Sequence, residues 1–252
     1  PLEGRTLLIH AEQGLGDAVQ FARYVPAVKK LGGKVLFACP ARLHKLMKSI
    51  PGMPEIVPLD RLPKHDLQSP LISLPRLFET GLPMLTEPAA YLVPDKARRA
   101  VWREALGDSG LVRIGIAWQG SPDYGNDGRR SIPLVNFELL ARMPGVQLVS
   151  LQQGFGAEQL AEIGWGDKVL NVTEHMDKDG AFVDTLAVMS LLDAVVTSDT
   201  AIAHVAGAAG LPVHVALSHL PDWRWGLRGE ASAWYPSMTL HRQAQRRRGA
   251  CV

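Results

Sequence analysis

The stretch that most constrains the fold of this chain is residues 193–215, which read DAVVTSDTAIAHVAGAAGLPVHV. A short apolar run is followed by the polar turn Ser198-Asp199-Thr200, an alanine-rich segment, a Gly-Leu-Pro turn and a second apolar run. A short buried strand that leads directly into a helix is typical of a parallel sheet in an α/β protein. We therefore expect a strand, a helix that begins at the polar turn, and a second strand.

The polar turn also indicates where a ligand can bind. Ser198, Asp199 and Thr200 all favour helix N-caps, so the unpaired N–H groups of the helix should face outward beyond the end of the strand. An anionic group such as a diphosphate fits that position. Thr200 and His204 are four residues apart and can reach the same ligand from one helix face. The alternative is a well-capped core helix that binds nothing.

Composition excludes several classes of protein. The chain has 252 residues, 46% of them hydrophobic and 21% charged, which is typical of a soluble globular protein of one large or two small domains. The formal net charge of +2 does not indicate a nucleic-acid partner, and the arginine cluster at 246–248 is interpreted as a solvated tail. Cys39 and Cys251 predict neither a disulfide framework nor a metal site, so a reducing cytoplasm is expected.

Targeting and membrane signals are not found either. No apolar run approaches the ~20 residues of a membrane span, and no signal peptide is recognisable. The chain begins with Pro1 instead of Met, which we interpret as a piece of a longer protein.

The amino-terminal part predicts a strand at residues 5–10, then A-E-Q-G-L-G-D and an amphipathic helix. Gly14 and Gly16 allow a ligand to approach the backbone closely. They do not form a dinucleotide fingerprint, because Val19 stands where its third glycine would fall. Asp17 has two interpretations, a capping residue of the helix or a catalytic carboxylate.

Strands and helices alternate along the remaining chain. We predict further strands near 34–39, 55–58, 71–74, 112–118, 146–151 and 168–171, and further helices near 41–50, 95–106, 135–142, 157–163 and 181–192. The alternation starts twice, each time with a polar or glycine-bearing turn after the first strand. This predicts two Rossmann-like domains, residues 1–94 and 111–252, joined by a linker helix at about 95–110 and facing a shared cleft.

Two further patterns have competing interpretations. Trp223, Trp225 and Trp234 lie close together in P-D-W-R-W and W-Y-P, where they can stack on a base or sugar or form a hydrophobic plug. Residues 177–179 spell D-K-D, a pattern that holds a divalent cation in some nucleotide-sugar enzymes. Because it lies in a polar loop, we attribute it to chance. H-E-x-x-H, G-x-S-x-G and Walker motifs do not occur in the sequence.

Several sequence blocks together resemble a known family. They are E-Q-G-L-G-D at 12–17, W-Q-G-S at 118–121, R-R-S-I-P at 129–133, S-L-Q-Q-G at 150–154 and S-D-T-A-I-A-H-V-A-G-A at 198–208. Their order and spacing resemble the heptosyltransferase-related glycosyltransferases, and most of all the glycosyltransferase domain that follows tetratricopeptide repeats in many bacterial proteins. The P-D-W-R-W and W-Y-P segments also fit that subgroup.

The resemblance implies a GT-B fold, with the acceptor on the first domain and the nucleotide-sugar donor on the second. It implies a metal-independent, inverting glycosyltransferase without a cofactor, in which Asp17 matches the proposed general base. Gly14 and Gly16 would lie in the cleft loop. The expected nucleotide and diphosphate contacts are Gln119, Gly120, Ser121, Arg130, Gln152, Ser198, Asp199, Thr200, Ala201 and His204.

The expected partners are a nucleotide-sugar donor, an acceptor that is a glycan, a lipid-linked glycan or a protein, and an upstream repeat region absent from this chain. Arg130 stands where lipopolysaccharide heptosyltransferases usually carry a lysine, which leaves the donor sugar open. A second hypothesis is a catalytically inactive nucleotide-binding or scaffold module of a larger repeat protein. A sugar-nucleotide epimerase is a weaker third, because only Asp17 is nominated as an acid or base.

Overall fold

A computed structural model describes residues 2–77, 90–125 and 127–244. Within these ranges the strands form two parallel sheets, one of four strands and one of six. The prediction of an α/β fold is thereby confirmed. The arginine cluster at 246–248 and Cys251 lie outside the described residues. None of the described helices has both the length and the apolar sequence needed to cross a bilayer.

The first sheet has the strand order β3-β2-β1-β4. Its strands are β1 Thr6–His10, β2 Lys34–Cys39, β3 Glu55–Pro58 and β4 Leu67–Pro70, and the helices of this part are α1 Leu15–Phe21, α2 Val25–Lys29, α3 His44–Lys48 and α4 Leu74–Leu77. The strand predicted at 71–74 is wrong, because the strand lies four residues earlier. The Glu12 carboxylate accepts the N–H groups of Leu71 (3.1 Å) and Ile72 (3.3 Å), which turns the chain into a short 3-10 helix there.

The second sheet has the order β10-β9-β8-β5-β6-β7. Its strands are β5 Val112–Ala117, β6 Val146–Ser150, β7 Val169–Asn171, β8 Ala194–Ser198, β9 Val213–Leu217 and β10 Met238–Arg242. The helices are α5 Lys96–Leu106, α6 Asp127–Arg130, α7 Glu138–Ala141, α8 Gln159–Glu162, α9 Val183–Met189 and α10 Ala201–Ala208. Helix α6, in a predicted polar loop, and strand β10 were not predicted. The β10 sequence MTLHR is short, and its alternation of buried and more exposed residues is a weak signal.

The strand order brings the predicted loops to equivalent positions in the two sheets. Strand β1 lies between β2 and β4, and β5 lies between β6 and β8, so the order of each sheet reverses at these strands. Ligands of open parallel sheets bind beyond the carboxyl ends of the strands at such reversal points. Asp17 lies in the first turn of α1 after β1, and the loops that follow β5 and β8 carry Gln119 and Asp199.

The buried core is continuous between the sheets. One cluster of buried apolar side chains includes Phe37 on β2 and Val195 on β8. Helix α1 lies against α10, and a Cβ atom at Gly16 would lie 2.8 Å from His204 Cδ2 and 3.3 Å from the Ala201 Cα. Glycine at this position therefore allows the two helices to approach closely. The domain boundaries at 94 and 111 stay a prediction.

Candidate active site

A cavity of about 1350 Å³ opens beside the carboxyl ends of β1, β5 and β8. The predicted residues that line it are Gly14, Gly16, Asp17, Gln119, Gly120, Ser121, Arg130, Gln152, Asp199, Thr200, Ala201 and His204. Ser198 is not among the lining residues, because it is the last residue of β8 and is fully buried. The N-cap position belongs to Thr200, one of the three residues predicted for it.

Asp17 lies in the first turn of α1, as the sequence predicts. Its Oδ2 accepts the N–H of Gly14, the N-cap residue, at 3.1 Å. Its Oδ1 accepts a hydrogen bond from Nη2 of Arg224, and the two side chains form an ion pair at the cavity wall. The carboxylate is therefore held from two directions while remaining partly exposed.

Arg224 is the main functional candidate that sequence reasoning missed. It comes from the P-D-W-R-W segment, which we interpreted for its aromatic residues alone. Its Nη1 lies 3.4 Å from the Asp222 carboxylate, and its Nε is buried without a hydrogen-bond partner in the part of the chain that the structure describes. The available signal was a single cation between two tryptophans, and nothing in the sequence paired it with Asp17.

Another part of the cavity lining, formed by Thr200 and Arg130, is suited to an anion. Thr200 caps α10 in an extended conformation, and the first N–H groups of any helix have no partner within it. Arg130 is fixed beside this helix end, because Nη1 donates to the Asp199 carbonyl oxygen at 3.0 Å and Nε donates to Asp127 Oδ1 at 3.0 Å. Its guanidinium also lies 4.3 Å from the centre of the Tyr124 ring. A helix N-terminus beside a fixed guanidinium is a favourable phosphate site.

Gln152 lines the cavity but uses its amide to shape the loop after β5. Its Oε1 accepts the backbone N–H groups of Trp118 (3.0 Å) and Gln119 (2.9 Å). Its Nε2 donates to the carbonyl oxygens of Gln119 (3.1 Å) and Phe155 (2.8 Å). Since all the hydrogen-bonding groups of the amide are engaged, Gln152 positions Gln119 and offers little to a ligand.

His204 lines the cavity and is only 3% exposed. Its Nδ1 is hydrogen-bonded to the Tyr235 hydroxyl at 3.0 Å, and its ring stacks on Trp225 at 5.4 Å. Burial, with a smaller contribution from nearby arginines including Arg224, holds the pKa of His204 well below its ordinary value. The imidazole is therefore neutral at pH 7. It packs against Trp225 and Tyr235 and presents no positive charge to a ligand.

The loop at 177–179 also lines the cavity, which the sequence did not predict. The Asp177 carboxylate accepts the N–H groups of Asp184 (2.7 Å) and Thr185 (3.1 Å), and so caps α9. Asp179 pairs with Arg98 at 2.5 Å and Lys45 at 3.3 Å. Among the described residues, no group of three or more histidine, cysteine or acidic side chains is placed to hold a metal ion.

Comparison with known sequences gives one informative relative. No family model matches the chain. The chain is 28% identical to Protein FlbA of Caulobacter vibrioides, across 94% of this chain and 43% of FlbA. The chain therefore spans less than half the length of this relative.

Comparison with solved structures identifies the fold. The glycosyl transferase family 9 protein of Veillonella parvula matches with a TM-score of 0.70 and 11% identity, over 95% of this chain and 86% of that one. ADP-heptose lipopolysaccharide heptosyltransferase II of E. coli matches with a TM-score of 0.64 and 13% identity, over 93% and 89%. E. coli heptosyltransferase WaaC with ADP matches at 0.57 and 12%, over 94% and 93%. The chain thus has the two-sheet α/β fold of heptosyltransferases and family 9 glycosyltransferases.

Proposed function

We propose that the protein is a metal-independent, inverting glycosyltransferase that moves a sugar from a nucleoside-diphosphate sugar to an acceptor hydroxyl. The observation that carries this proposal is the composition of the cavity wall: Asp17 lines the same cavity as Arg130 and the start of α10. A carboxylate and a phosphate-suited helix end are the two groups that this transfer needs. The fold shared with family 9 glycosyltransferases supports the same conclusion.

In the proposed reaction, Asp17 takes the proton of the acceptor hydroxyl while that oxygen attacks the anomeric carbon. The bond from this carbon to the diphosphate oxygen breaks, and the bonding electrons leave with the nucleoside diphosphate. A carboxylate has about four lone-pair positions, so Asp17 can receive a hydroxyl while it still bonds Gly14 and Arg224. Attack from the face opposite the leaving group inverts the anomeric configuration.

The charge that develops on the departing diphosphate requires fixed positive partners. Arg130 and the N–H groups at the start of α10 supply them in this proposal, so no metal ion or cofactor is invoked. Gln119, Gly120 and Ser121 lie on the same lining and would contact the nucleotide. ADP is the first nucleotide to test, because the WaaC structure holds ADP, although neither adenine nor heptose is assumed.

The test is calorimetric binding of ADP, GDP and UDP, with and without magnesium, to the wild type and to Arg130→Ala and Thr200→Ala. Loss of the Arg130 contact should weaken binding of the preferred nucleotide roughly tenfold, as for a lost charged hydrogen bond. Arg129→Ala is the matched control, because Arg129 is exposed and outside the cavity lining. Absence of binding by all three nucleotides would contradict the proposal.

A catalytically inactive nucleotide-binding module is the second candidate, and one observation favours it. The Asp17 carboxylate already bonds the helix N-cap and Arg224, which are partners that a purely structural aspartate would also have. In that case Asp17→Asn would lower stability and leave nucleotide binding intact, with no turnover in either protein. Turnover of a sugar nucleotide by the wild type that Asp17→Asn abolishes, while nucleotide affinity is kept, would support the enzyme.

A further inference from the structure

Trp223 differs from the other tryptophans of its segment. Its side chain is 62% exposed, whereas Trp225 is 3% exposed and Trp234 is 5% exposed. Trp223 is also a lining residue of the cavity that contains Asp17. The hydrophobic plug predicted for this segment therefore describes Trp225 and Trp234, and leaves Trp223 as an indole presented to the cavity.

Hydrogen bonds hold the turn that carries Trp223, and its ring packs on a second tryptophan. Residues Trp223–Trp225 form one 3-10 turn, which begins where the Asp222 carboxylate accepts the N–H of Arg224 at 3.1 Å. The Trp234 Nε1 donates to the Arg224 carbonyl oxygen at 2.8 Å, which ties the turn to the core. The Trp223 ring lies nearly perpendicular to the Trp234 ring, at 82° with a centroid distance of 6.0 Å. An aromatic ring fixed in this way loses little conformational entropy when a ligand stacks on it.

The indole and the candidate base contact the same cation. The Arg224 Cζ lies 5.5 Å from the centre of the Trp223 ring, and Nη2 of the same guanidinium bonds the Asp17 carboxylate. A ligand that covers the exposed part of the Trp223 ring is therefore within reach of Asp17. Arg130, which suits the diphosphate, instead lies over the Tyr124 ring and bonds the Asp199 carbonyl oxygen.

We propose that Trp223 is the stacking platform for a sugar ring of the acceptor, a proposal that rests on the glycosyltransferase function above. The apolar C–H face of a pyranose complements the face of an indole, and its edge hydroxyls would point toward Asp17 and Arg224. This places the attacking hydroxyl beside the carboxylate that removes its proton. The acceptor is accordingly of the glycan class, whether free or carried on a lipid or a protein.

The first test measures sugar binding directly, without a known acceptor. Ligand-observed NMR with a panel of methyl hexopyranosides should detect saturable millimolar binding to the wild type. Trp223→Ala should weaken it about tenfold, the effect of removing a stacking surface, and Trp223→Phe should restore part of it. Leu227→Ala is the control, because Leu227 lies in the same segment and is 78% exposed but outside the cavity lining.

The second test separates this site from the nucleotide site. Calorimetric titration of Trp223→Ala with the preferred nucleotide should give the wild-type affinity. A loss of nucleotide affinity would overturn the proposal and assign Trp223 to the nucleobase. Sugar binding that is undetectable in the wild type, or unaffected by Trp223→Ala, would overturn it as well. If the protein binds no nucleotide but binds sugar through Trp223, the stacking role of Trp223 would be supported and the glycosyltransferase function contradicted.

Discussion

At the scale of single residues, Gly120 leaves the space that the Arg130 guanidinium occupies. A Cβ atom at Gly120 would overlap Arg130 Nη2 and Asp127 Oδ1. We predict that Gly120→Ala displaces the guanidinium and weakens nucleotide binding roughly tenfold, the cost of about one charged hydrogen bond, with little loss of stability. Calorimetry and thermal unfolding measure the two effects.

The matched control is Gly128→Ala, because Gly128 lies in α6 between Asp127 and Arg130 and a Cβ atom there meets nothing within 4 Å. If the two alanine variants bound the nucleotide with equal affinity, the absence of a side chain at Gly120 would not matter for nucleotide binding.

His204 should make the stability of the protein depend on pH. Its folded-state pKa is depressed by burial, and by Arg224, Arg23 and Arg130, below the ordinary value of 6.5. The unfolded chain therefore binds the proton more readily, and stability present above pH 6.5 is lost as the pH falls below it. The slope should approach about 1.4 kcal/mol per pH unit for this one group.

Urea denaturation between about pH 5 and pH 7.5, the range over which an ordinary histidine titrates, measures this slope in the wild type and in His204→Gln. The variant should have a shallower slope. His214→Gln is the comparison. Burial and His241 also lower the pKa of His214, but this side chain is only partly buried. Identical slopes in the wild type and His204→Gln would contradict the prediction.

At the scale of elements, Asp184 on α9 joins α5 to the loop that lines the cavity. Its carboxylate accepts hydrogen bonds from Trp102 Nε1 (2.9 Å), Arg98 Nη1 (2.7 Å) and the Asp177 N–H (2.8 Å). Burial works to raise the pKa of Asp184, but the bonds from Trp102 and Arg98 lower it. We predict that Asp184→Ala lowers the free energy of unfolding by about 3 kcal/mol, because it leaves buried donors unpaired.

Chemical denaturation of Asp184→Ala beside Glu162→Ala measures this contribution. Glu162 is an exposed helical carboxylate, so its replacement should change stability little. If both variants were equally stable, the hydrogen bonds of Asp184 would make no net contribution to the free energy of unfolding.

The elements that sequence reasoning predicted well are those in which local signals agree. Helix α5 begins after Asp95, whose carboxylate accepts the Arg98 N–H at 2.8 Å, and ends at Gly107 with a φ of 61°. The central strands combine apolar runs with adjacent turn residues. Strand β4 was misplaced because a side chain distant in sequence, Glu12, caps the turn that follows it. Strand β10 was missed because its place is set by pairing with β9, which a local pattern does not encode.

The candidate site, like the fold, was predictable where a local sequence motif marks its residues. Motifs that follow β1, β5 and β8 each place their residues on the cavity lining, because the carboxyl end of β1 in one sheet and those of β5 and β8 in the other lie beside the same cavity. Arg224 could not be assigned, since its contact with Asp17 spans a sequence separation of 207 residues. The site role of Trp223 could not be assigned for the same reason, because it depends on the contact of Trp223 with this arginine. The buried state of Ser198 depended on where β8 ends, and strand ends are poorly encoded locally.

At the scale of the whole molecule, the shared core predicts that the two sheets unfold together. Gly16 on α1 packs against Ala201 and His204 on α10, and one apolar cluster includes Phe37 and Val195 from different sheets. Alanine at Gly16 should overpack this contact and destabilise the protein by about 1–3 kcal/mol. If the halves form one cooperative unit, amide exchange in β1 and in β8 should accelerate by the same factor.

Hydrogen exchange with mass spectrometry compares the peptides of these two strands in the wild type, Gly16→Ala and Gly128→Ala. The Gly128 variant changes backbone propensity in a helix without a steric contact, so it controls for the glycine replacement itself. Faster exchange in β1 alone would mean that residues 1–94 and 111–252 unfold as separate domains that merely touch at α1 and α10. Equal acceleration would mean that this contact couples α1, which carries Asp17, to the end of α10 that suits a diphosphate. Nucleotide binding at α10 would then protect β1 as well as β8, because a ligand stabilises the whole of any cooperative unit to which it binds.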